Sequence, residues 1–130
     1  MIKEKKKHSV KRVKRKLLHG IIYIQSSFNN TIISLASLKG DIVAWSSPGC
    51  CGFKGARKST PFSVKTVADN ILKRCLELDL QEITIFVKGP GSGREVAIRH
   101  FQKSNLKMKI IRDITPIAHN GCRPPKKRRI

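Results

Sequence analysis

The chain has 130 residues, enough for one compact domain and too few for two. It carries 28 Lys and Arg residues against 8 Asp and Glu residues, a formal net charge of +20. Because so large a charge opposes compaction by self-repulsion, the composition predicts a polyanionic partner rather than a small-molecule substrate. No apolar run approaches the ~20 residues that a membrane-spanning helix needs, so no membrane role is expected.

The charge is concentrated at the two ends of the chain. Residues 1–20 and 115–130 together hold +13 of the net charge. The first of these segments lacks the apolar core of a secretory signal, so we expect it to belong to the mature protein. The predicted organisation is a basic arm over 1–19, a globular domain over 20–114 and an extended basic tail over 115–130. This layout is typical of a protein that binds a phosphate backbone.

Hydrophobic patterning predicts an α/β domain with one mixed sheet of five strands and helices packed on it. The predicted strands are 21–28, 31–38, 42–46, 82–88 and 106–114. The first three form a meander joined by short turns. Phe28 closes the first strand and is expected in the core, although stacking on an unpaired base is an alternative. Asn29-Asn30 suits the positive φ of a two-residue hairpin turn.

Two helices are predicted. Thr60 caps the first helix and Pro61 occupies its first position. Its apolar stripe comprises residues 64, 67, 68, 71, 72, 75 and 76. Asp69 and Lys73 are spaced to pair along the same helix. The second helix, 94–103, links the last two strands, and this order predicts a parallel, right-handed crossover.

A glycine-rich, basic segment leads into each predicted helix. Lys54, Arg57 and Lys58 precede the first helix, whose free N–H groups attract anions, although a flexible solvated loop is the alternative. The segment from Gly89 to Arg94 matches neither nucleotide-binding glycine motif, so no nucleotide cofactor is indicated. The segment is better suited to binding RNA phosphates than to binding one small ligand. The alternative is a tight turn that requires glycine because its φ is positive. Phe53 is the better candidate for base stacking.

The tail combines stiffness with charge. Pro124-Pro125 favours an extended path that holds the following four bases away from the domain. The four basic residues from Lys126 to Arg129 could alternatively be interpreted as a nuclear import signal. Asn120-Gly121 is prone to succinimide formation, and isoaspartate at Asn120 is a hypothesis that peptide mapping tests.

Four sequence blocks resemble the small-subunit ribosomal protein eleven family of bacterial and organellar type. The blocks are Ser27 to Ile32, Gly52 to Gly55 with Arg57 to Phe62, Lys88 to Gly91 with Gly93 to Glu95, and Asp113 to Pro116 followed by His119 to Arg129. The resemblance implies a ribonuclease-H-like fold in the platform of the small subunit, near the messenger exit and the exit tRNA site. It implies small-subunit rRNA and neighbouring small-subunit proteins as partners, with messenger RNA close to the tail.

The resemblance also implies a set of RNA contacts. Carried over by matching position, they are Asn29, Asn30, Lys54, Arg57, Lys58, Ser59, Gly91, Arg94, Arg123, Lys126, Lys127, Arg128 and Arg129. The chain departs from the family in its lysine-rich arm, in Ala118 where a proline is common, and in Cys50-Cys51 where small residues are usual. Abundant Lys, Ile and Ser look like the codon bias of an AT-rich genome, which favours a plastid over a bacterial cytoplasm.

Two other functions are weighed against a ribosomal scaffold. A metal-dependent nuclease needs several clustered carboxylates, and the sequence does not bring Asp41 and Asp113 together with other acids. A general nucleic-acid chaperone would bind rRNA no better than random RNA. The four cysteines include no C-x-x-C and lie at no metal-ligand spacing to the histidines, so neither metal nor cofactor is expected and the thiols are expected to be reduced.

Overall fold

Five strands and two α-helices lie along residues 18–130, the part of the chain that this computed structural model describes. The elements are β1 (His19–Ser26), β2 (Thr31–Ala36), β3 (Ile42–Ser46), a short 3-10 helix (Gly55–Ser59), α1 (Pro61–Glu77), β4 (Glu82–Lys88), α2 (Gly93–Gln102) and β5 (Lys107–Asp113). Most of the predicted basic arm, residues 1–17, lies outside the described residues.

The strands form one mixed sheet in the order β3-β2-β1-β4-β5. The pairs β1–β2 and β2–β3 are antiparallel, whereas β1–β4 and β4–β5 are parallel. The predicted meander and parallel crossover are therefore confirmed. Because β1, β3, β4 and β5 all point the same way, their last residues lie at one edge of the sheet, which we call the carboxyl edge.

The core lies between one face of the sheet and the two helices. Alternate residues of the central strands, such as Ile22, Ile24 and Ile85, are completely buried. They pack against the α1 stripe and against Phe101 of α2. The stripe is shorter than predicted, because Leu76 is 69% exposed. Both helices pack on the same face of the sheet. In the described part of the chain, no layer covers the other face.

The start of α1 agrees with the sequence prediction. Thr60 Oγ1 accepts a hydrogen bond from the backbone N–H of Ser63 at 3.4 Å, and Pro61 follows as the first helical residue. The predicted pairing of Asp69 within α1 is wrong. Asp69 instead contacts His100 of α2, with 2.5 Å between Oδ1 and Nε2, and so links the two helices.

The turn between β1 and β2 also differs from the prediction. The backbone N–H of Ser27 donates to the carbonyl of Asn30 at 2.8 Å, and the Asn30 side-chain oxygen accepts from the N–H of Thr31 at 3.0 Å. Neither Asn29 nor Asn30 has a positive φ, so the predicted two-residue turn is wrong. The strand ends at Ser26 and leaves Phe28 at the tip of the turn, 76% exposed rather than in the core.

Candidate nucleic-acid interface

The sheet gathers the predicted contact residues at its carboxyl edge. Residues 27–30 follow β1, residues 47–60 follow β3, residues 89–92 follow β4, and the tail follows β5. Ligand sites of α/β sheets form where the strands present their carboxyl ends. The strand directions therefore bring four segments that are distant in sequence to one side of the molecule.

The β1–β2 turn holds its two asparagines differently. Asn30 is half-buried, and its backbone N–H donates to Ser27 Oγ at 3.1 Å while its side-chain oxygen closes the turn. Asn29 is exposed. Since the turn is fixed by its own hydrogen bonds, Asn29 and the exposed Phe28 are presented outward from a defined backbone.

The 3-10 helix presents bases from a backbone that is internally bonded. Lys54 and Arg57 are exposed, and Lys58 is half-buried. Ser59 Oγ donates to the carbonyl of Ala56 at 3.0 Å, so its hydroxyl proton is already engaged. The first two cationic side chains are therefore free to reach a ligand, whereas the hydroxyl of Ser59 is left as an acceptor.

Phe53, the predicted stacking residue, packs edge-on against Phe62. The two ring centroids are 5.9 Å apart and the ring planes meet at 75°. Phe53 is half-buried, whereas Phe62 is 69% exposed. Phe62 is therefore the more accessible ring of the pair, and stacking by Phe53 stays a prediction.

The glycines of the β4–α2 loop allow this loop to lie directly against the β1–β2 turn. A Cβ at Gly89 would stand 2.1 Å from the carbonyl oxygen of Ser26, and one at Gly91 would stand 2.3 Å from that of Ser27. Gly89 also has a φ of 100°, a conformation that favours glycine. Gly91 is buried, and its N–H donates to the carbonyl of Ser26 at 3.0 Å. The structure thus gives Gly91 a packing role, whereas the positive φ of the tight-turn alternative occurs at Gly89.

Arg94 is held by intramolecular partners. Its guanidinium donates to the Asp113 carboxylate at 2.8 Å and to the carbonyl of Gly89 at 3.0 Å. Asp113 also accepts from the hydroxyl and the N–H of Thr115. The Thr115 hydroxyl, followed by the Arg94 guanidinium, holds the pKa of Asp113 well below its usual range. Arg94 therefore bonds the first turn of α2 to Asp113, the last residue of β5, where the tail begins.

A basic groove between the helices was missed from the sequence. It has a volume of about 210 Å³ and is lined by Pro61, Lys65, Val96, Arg99, His100 and Lys103. Arg99 and Lys103 are four residues apart on the second predicted helix, which is a signal that they share a face. Their meeting with Lys65 depends on how α1 packs on α2, and no local pattern reports that packing.

Ion pairing separates the bases into two groups. Arg74, Arg94, His100 and Lys109 each pair with a carboxylate. The lysines and arginines of the 3-10 segment and of the groove form no ion pair with any residue that the structure describes, whereas His100 of the groove pairs with Asp69. These basic residues without an ion-pair partner are Lys54, Arg57, Lys58, Lys65, Arg99 and Lys103. Six of the ten unpaired lysines and arginines that the structure describes outside the tail therefore lie at the 3-10 helix and in the groove, and the other four are Lys39, Lys73, Lys88 and Arg112.

The tail is exposed along residues 114–130. Its bases, Arg123, Lys126, Lys127, Arg128 and Arg129, form no ion pair within the described part of the chain. Asn120 adopts a φ of 75°, and asparagine is one of the few residues with a side chain that tolerate this region. The tail thus adds a second set of uncompensated bases that begins at the carboxyl edge.

Residues 18–130 present neither a metal site nor a membrane span. No three His, Cys, Asp or Glu side chains of this range come together in a way that would hold a metal ion. Neither α1 nor α2 combines the length and the apolar character required to cross a bilayer.

A small α/β domain with uncompensated bases and an exposed basic tail has the features of a ribosomal protein. The model of the family described as ribosomal protein S11 matches residues 20–129, and the chain belongs to this family. It is 52% identical to small ribosomal subunit protein uS11c of Chlorella vulgaris and 47% identical to that of Mesostigma viride. It is 50% identical to small ribosomal subunit protein uS11 of Rippkaea orientalis. Each comparison spans 130 residues and the full length of both chains.

Proposed function

We propose that this protein is a structural constituent of the small ribosomal subunit that stabilises folded small-subunit rRNA. The observation that carries the proposal is the separation of charges. Acids pair with Lys107 and Lys109 of β5 and with Arg94 at the root of the tail, while the lysines and arginines of the 3-10 segment, the groove and the tail keep their charge. Membership of the ribosomal protein S11 family supports the same function.

The proposed contacts fall into three groups. The first is the tip of the β1–β2 turn at Asn29, with Asn30 behind it. The second is the basic 3-10 segment, extended by the groove between α1 and α2. The third is the tail. The bases in these groups are Lys54, Arg57, Lys58, Lys65, Arg99, Lys103, Arg123, Lys126, Lys127, Arg128 and Arg129. Each base that neutralises a phosphate releases condensed counterions, so affinity falls steeply as salt rises.

The proposed role is binding rather than catalysis. Metal-dependent cleavage of RNA would require carboxylates that converge on a metal ion. Among the described acids, Asp113 and Asp69 instead pair with Arg94 and His100. The finer assignment, in the platform near the messenger exit and the exit tRNA site beside other small-subunit proteins, rests on the family resemblance. A plastid ribosome is the favoured setting, and a bacterial ribosome is the alternative. Similarity to both chloroplast and bacterial relatives is consistent with either setting.

A competition experiment tests the proposal. Affinity for the cognate small-subunit rRNA, a shuffled RNA of equal length and duplex DNA is measured by filter binding between about 50 and 200 mM salt. The proposal predicts preference for the cognate rRNA at the upper end of this range. Equal affinity for all three ligands would instead support a general nucleic-acid chaperone.

A matched pair of charge variants locates the contact. Arg57→Gln lowers the magnitude of the slope of log K against log salt by about 0.7–0.9 if it removes one phosphate contact. Lys39→Gln is the control, because Lys39 is exposed in the β2–β3 turn at the opposite end of the sheet and the variant loses the same charge. Equal slopes for both variants would contradict a contact at the 3-10 helix.

A further inference from the structure

We propose that Arg94, Asp113 and Thr115 form a clamp that fixes where the basic tail leaves the domain. Arg94 then acts on RNA through the tail and does not touch RNA itself. The inference rests on the proposed function of the tail as an rRNA contact. We refer to these three residues and their bonds as the tail clamp.

The tail clamp joins three backbone segments. Arg94, in the first turn of α2, donates from its two terminal nitrogens to Asp113 Oδ2 at 2.8 Å and to the carbonyl of Gly89 at 3.0 Å. The backbone N–H of Gly89 donates to Thr115 Oγ1 at 3.1 Å. The β4–α2 loop is thus bonded to Thr115 and the first turn of α2 to Asp113, on the two sides of the point at which the tail begins.

Asp113 and Thr115 close the other half of the clamp. Asp113 Oδ1 accepts from the N–H of Thr115 at 2.9 Å and from its hydroxyl at 2.5 Å. The N–H of Ile114 donates to the carbonyl of Val87 at 2.8 Å, which continues the pairing of β4 and β5 by one residue. Each residue from 113 to 115 is therefore bonded to another part of the domain or to its neighbour, whereas residues 116–130 form no hydrogen bond with the described part of the chain.

The charges of the clamp argue against a direct phosphate contact. Asp113 is a carboxylate at the root of a tail with five bases, and by itself it would repel a phosphate backbone. Arg94 neutralises it, so the pair adds no net charge to the surface. The Arg94 side chain is also only 28% exposed. A neutral, bonded pair at this position is better explained by positioning than by attraction of RNA.

Fixing the root of the tail has a consequence for binding. A tail that leaves the domain in one direction has less backbone freedom to lose when it meets RNA, and this loss opposes association. Freeing the backbone of about one residue at the root should weaken cognate rRNA binding by about fivefold to thirtyfold. The effect requires the tail bases, because the clamp reaches the RNA only through the tail.

The discriminating variant is Asp113→Asn. It raises the net charge by one, so attraction alone predicts equal or tighter binding, whereas the clamp predicts the fivefold to thirtyfold loss. Asp41→Asn is the matched control, because it adds the same charge in the β2–β3 turn at the opposite end of the sheet. A second variant, Thr115→Val, removes the hydroxyl without changing charge and should show the same loss. Its control is Thr84→Val, at a β4 threonine whose hydroxyl makes no hydrogen bond within the described residues.

The experiment measures cognate rRNA affinity of the full-length variants in two backgrounds, the native tail and a tail whose five bases are replaced with Gln. Thermal unfolding of each variant verifies that the domain is folded. The clamp predicts that Asp113→Asn and Thr115→Val weaken binding in the native background and change it less than twofold in the neutral one.

Three other results overturn the clamp. If Asp113→Asn binds as tightly as Asp41→Asn, the root of the tail needs no fixing. If the losses persist with the neutral tail, Arg94 and its neighbours contact RNA directly or support another contact. If neutralising the tail leaves cognate affinity unchanged, the tail contact in the proposed function fails and the clamp falls with it. The last result is distinguished from the first by comparing the neutral tail with the native tail in the otherwise unchanged protein.

Discussion

Replacing Gly91 with Ala tests whether the β4–α2 loop needs glycine for packing. In the folded protein the new Cβ would stand 2.3 Å from the carbonyl oxygen of Ser27 and 2.4 Å from Ser26 Oγ. Both distances are far inside van der Waals range, and one of them is to backbone that cannot swing away as a flexible side chain would. The loop must therefore retreat from the β1–β2 turn.

The expected loss of stability has two parts. Overpacking of this kind costs about 1–3 kcal/mol. Retreat of the loop also stretches the hydrogen bond from the Gly91 N–H to the Ser26 carbonyl, now 3.0 Å long, and leaving a buried acceptor unsatisfied costs about 1–3 kcal/mol. The sum, about 2–6 kcal/mol, is a large share of the roughly 5–15 kcal/mol that stabilises a typical domain.

Urea unfolding measures the effect, with Gly49→Ala as the matched control. Gly49 is exposed, and the nearest atom to its added Cβ would be Ser47 Oγ at 3.8 Å. Both variants reduce the freedom of the unfolded chain alike, so their difference reports packing in the folded state. Equal free energies of unfolding for the two variants would refute the packing role and return Gly91 to the candidate RNA contacts.

Three further predictions concern the groove, a buried thiol and the tail clamp. Replacing both Arg99 and Lys103 with Gln should reduce the magnitude of the slope of log K against log salt by about 0.7–0.9 for each phosphate that is no longer neutralised, and an unchanged slope would remove the groove from the interface. Burial raises the pKa of Cys75 to about 11, so maleimide should label exposed Cys122 in the native protein and reach Cys75 only on unfolding; equal labelling rates would contradict its burial. The Asp113 carboxyl should titrate below its usual range by carbon-detected NMR, and its pKa should rise when the threonine hydroxyl is removed. Because its folded-state pKa lies below the unfolded value, its stabilising contribution is present at neutral pH and is lost as the pH falls through the folded pKa.

Local patterns were sufficient for most of the fold. The boundaries of β3 and β4 and the start of α1 are as predicted, because a turn, a cap and a proline mark them in the sequence. Phe28 was misplaced because hydrophobicity extends two residues beyond Ser26, where the strand ends. Backbone and side-chain hydrogen bonds between Ser27 and Asn30 end the strand, and small polar side chains offer the backbone this alternative to a sheet.

The candidate site was predictable in part. Clusters of basic residues identified the 3-10 segment and the tail, since an excess of Lys and Arg over Asp and Glu in a segment is visible in the sequence. The pairing of Arg94 with Asp113 joins residues 19 positions apart and depends on the parallel crossover. Glycine-rich sequence before a helix indicates a phosphate site or close backbone approach, and only the position of Ser26 against Gly91 distinguishes them. The groove depends likewise on helix packing.

Sedimentation of a cell or organelle lysate tests the central claim most directly. The lysate is washed with salt and resolved on a sucrose gradient, and the chain is followed by immunoblot against a known small-subunit protein. A structural role predicts that the chain migrates in stoichiometric amount with the small ribosomal subunit and remains there after the wash. Migration at the top of the gradient, or release in moderate salt, would contradict a structural role in the small subunit.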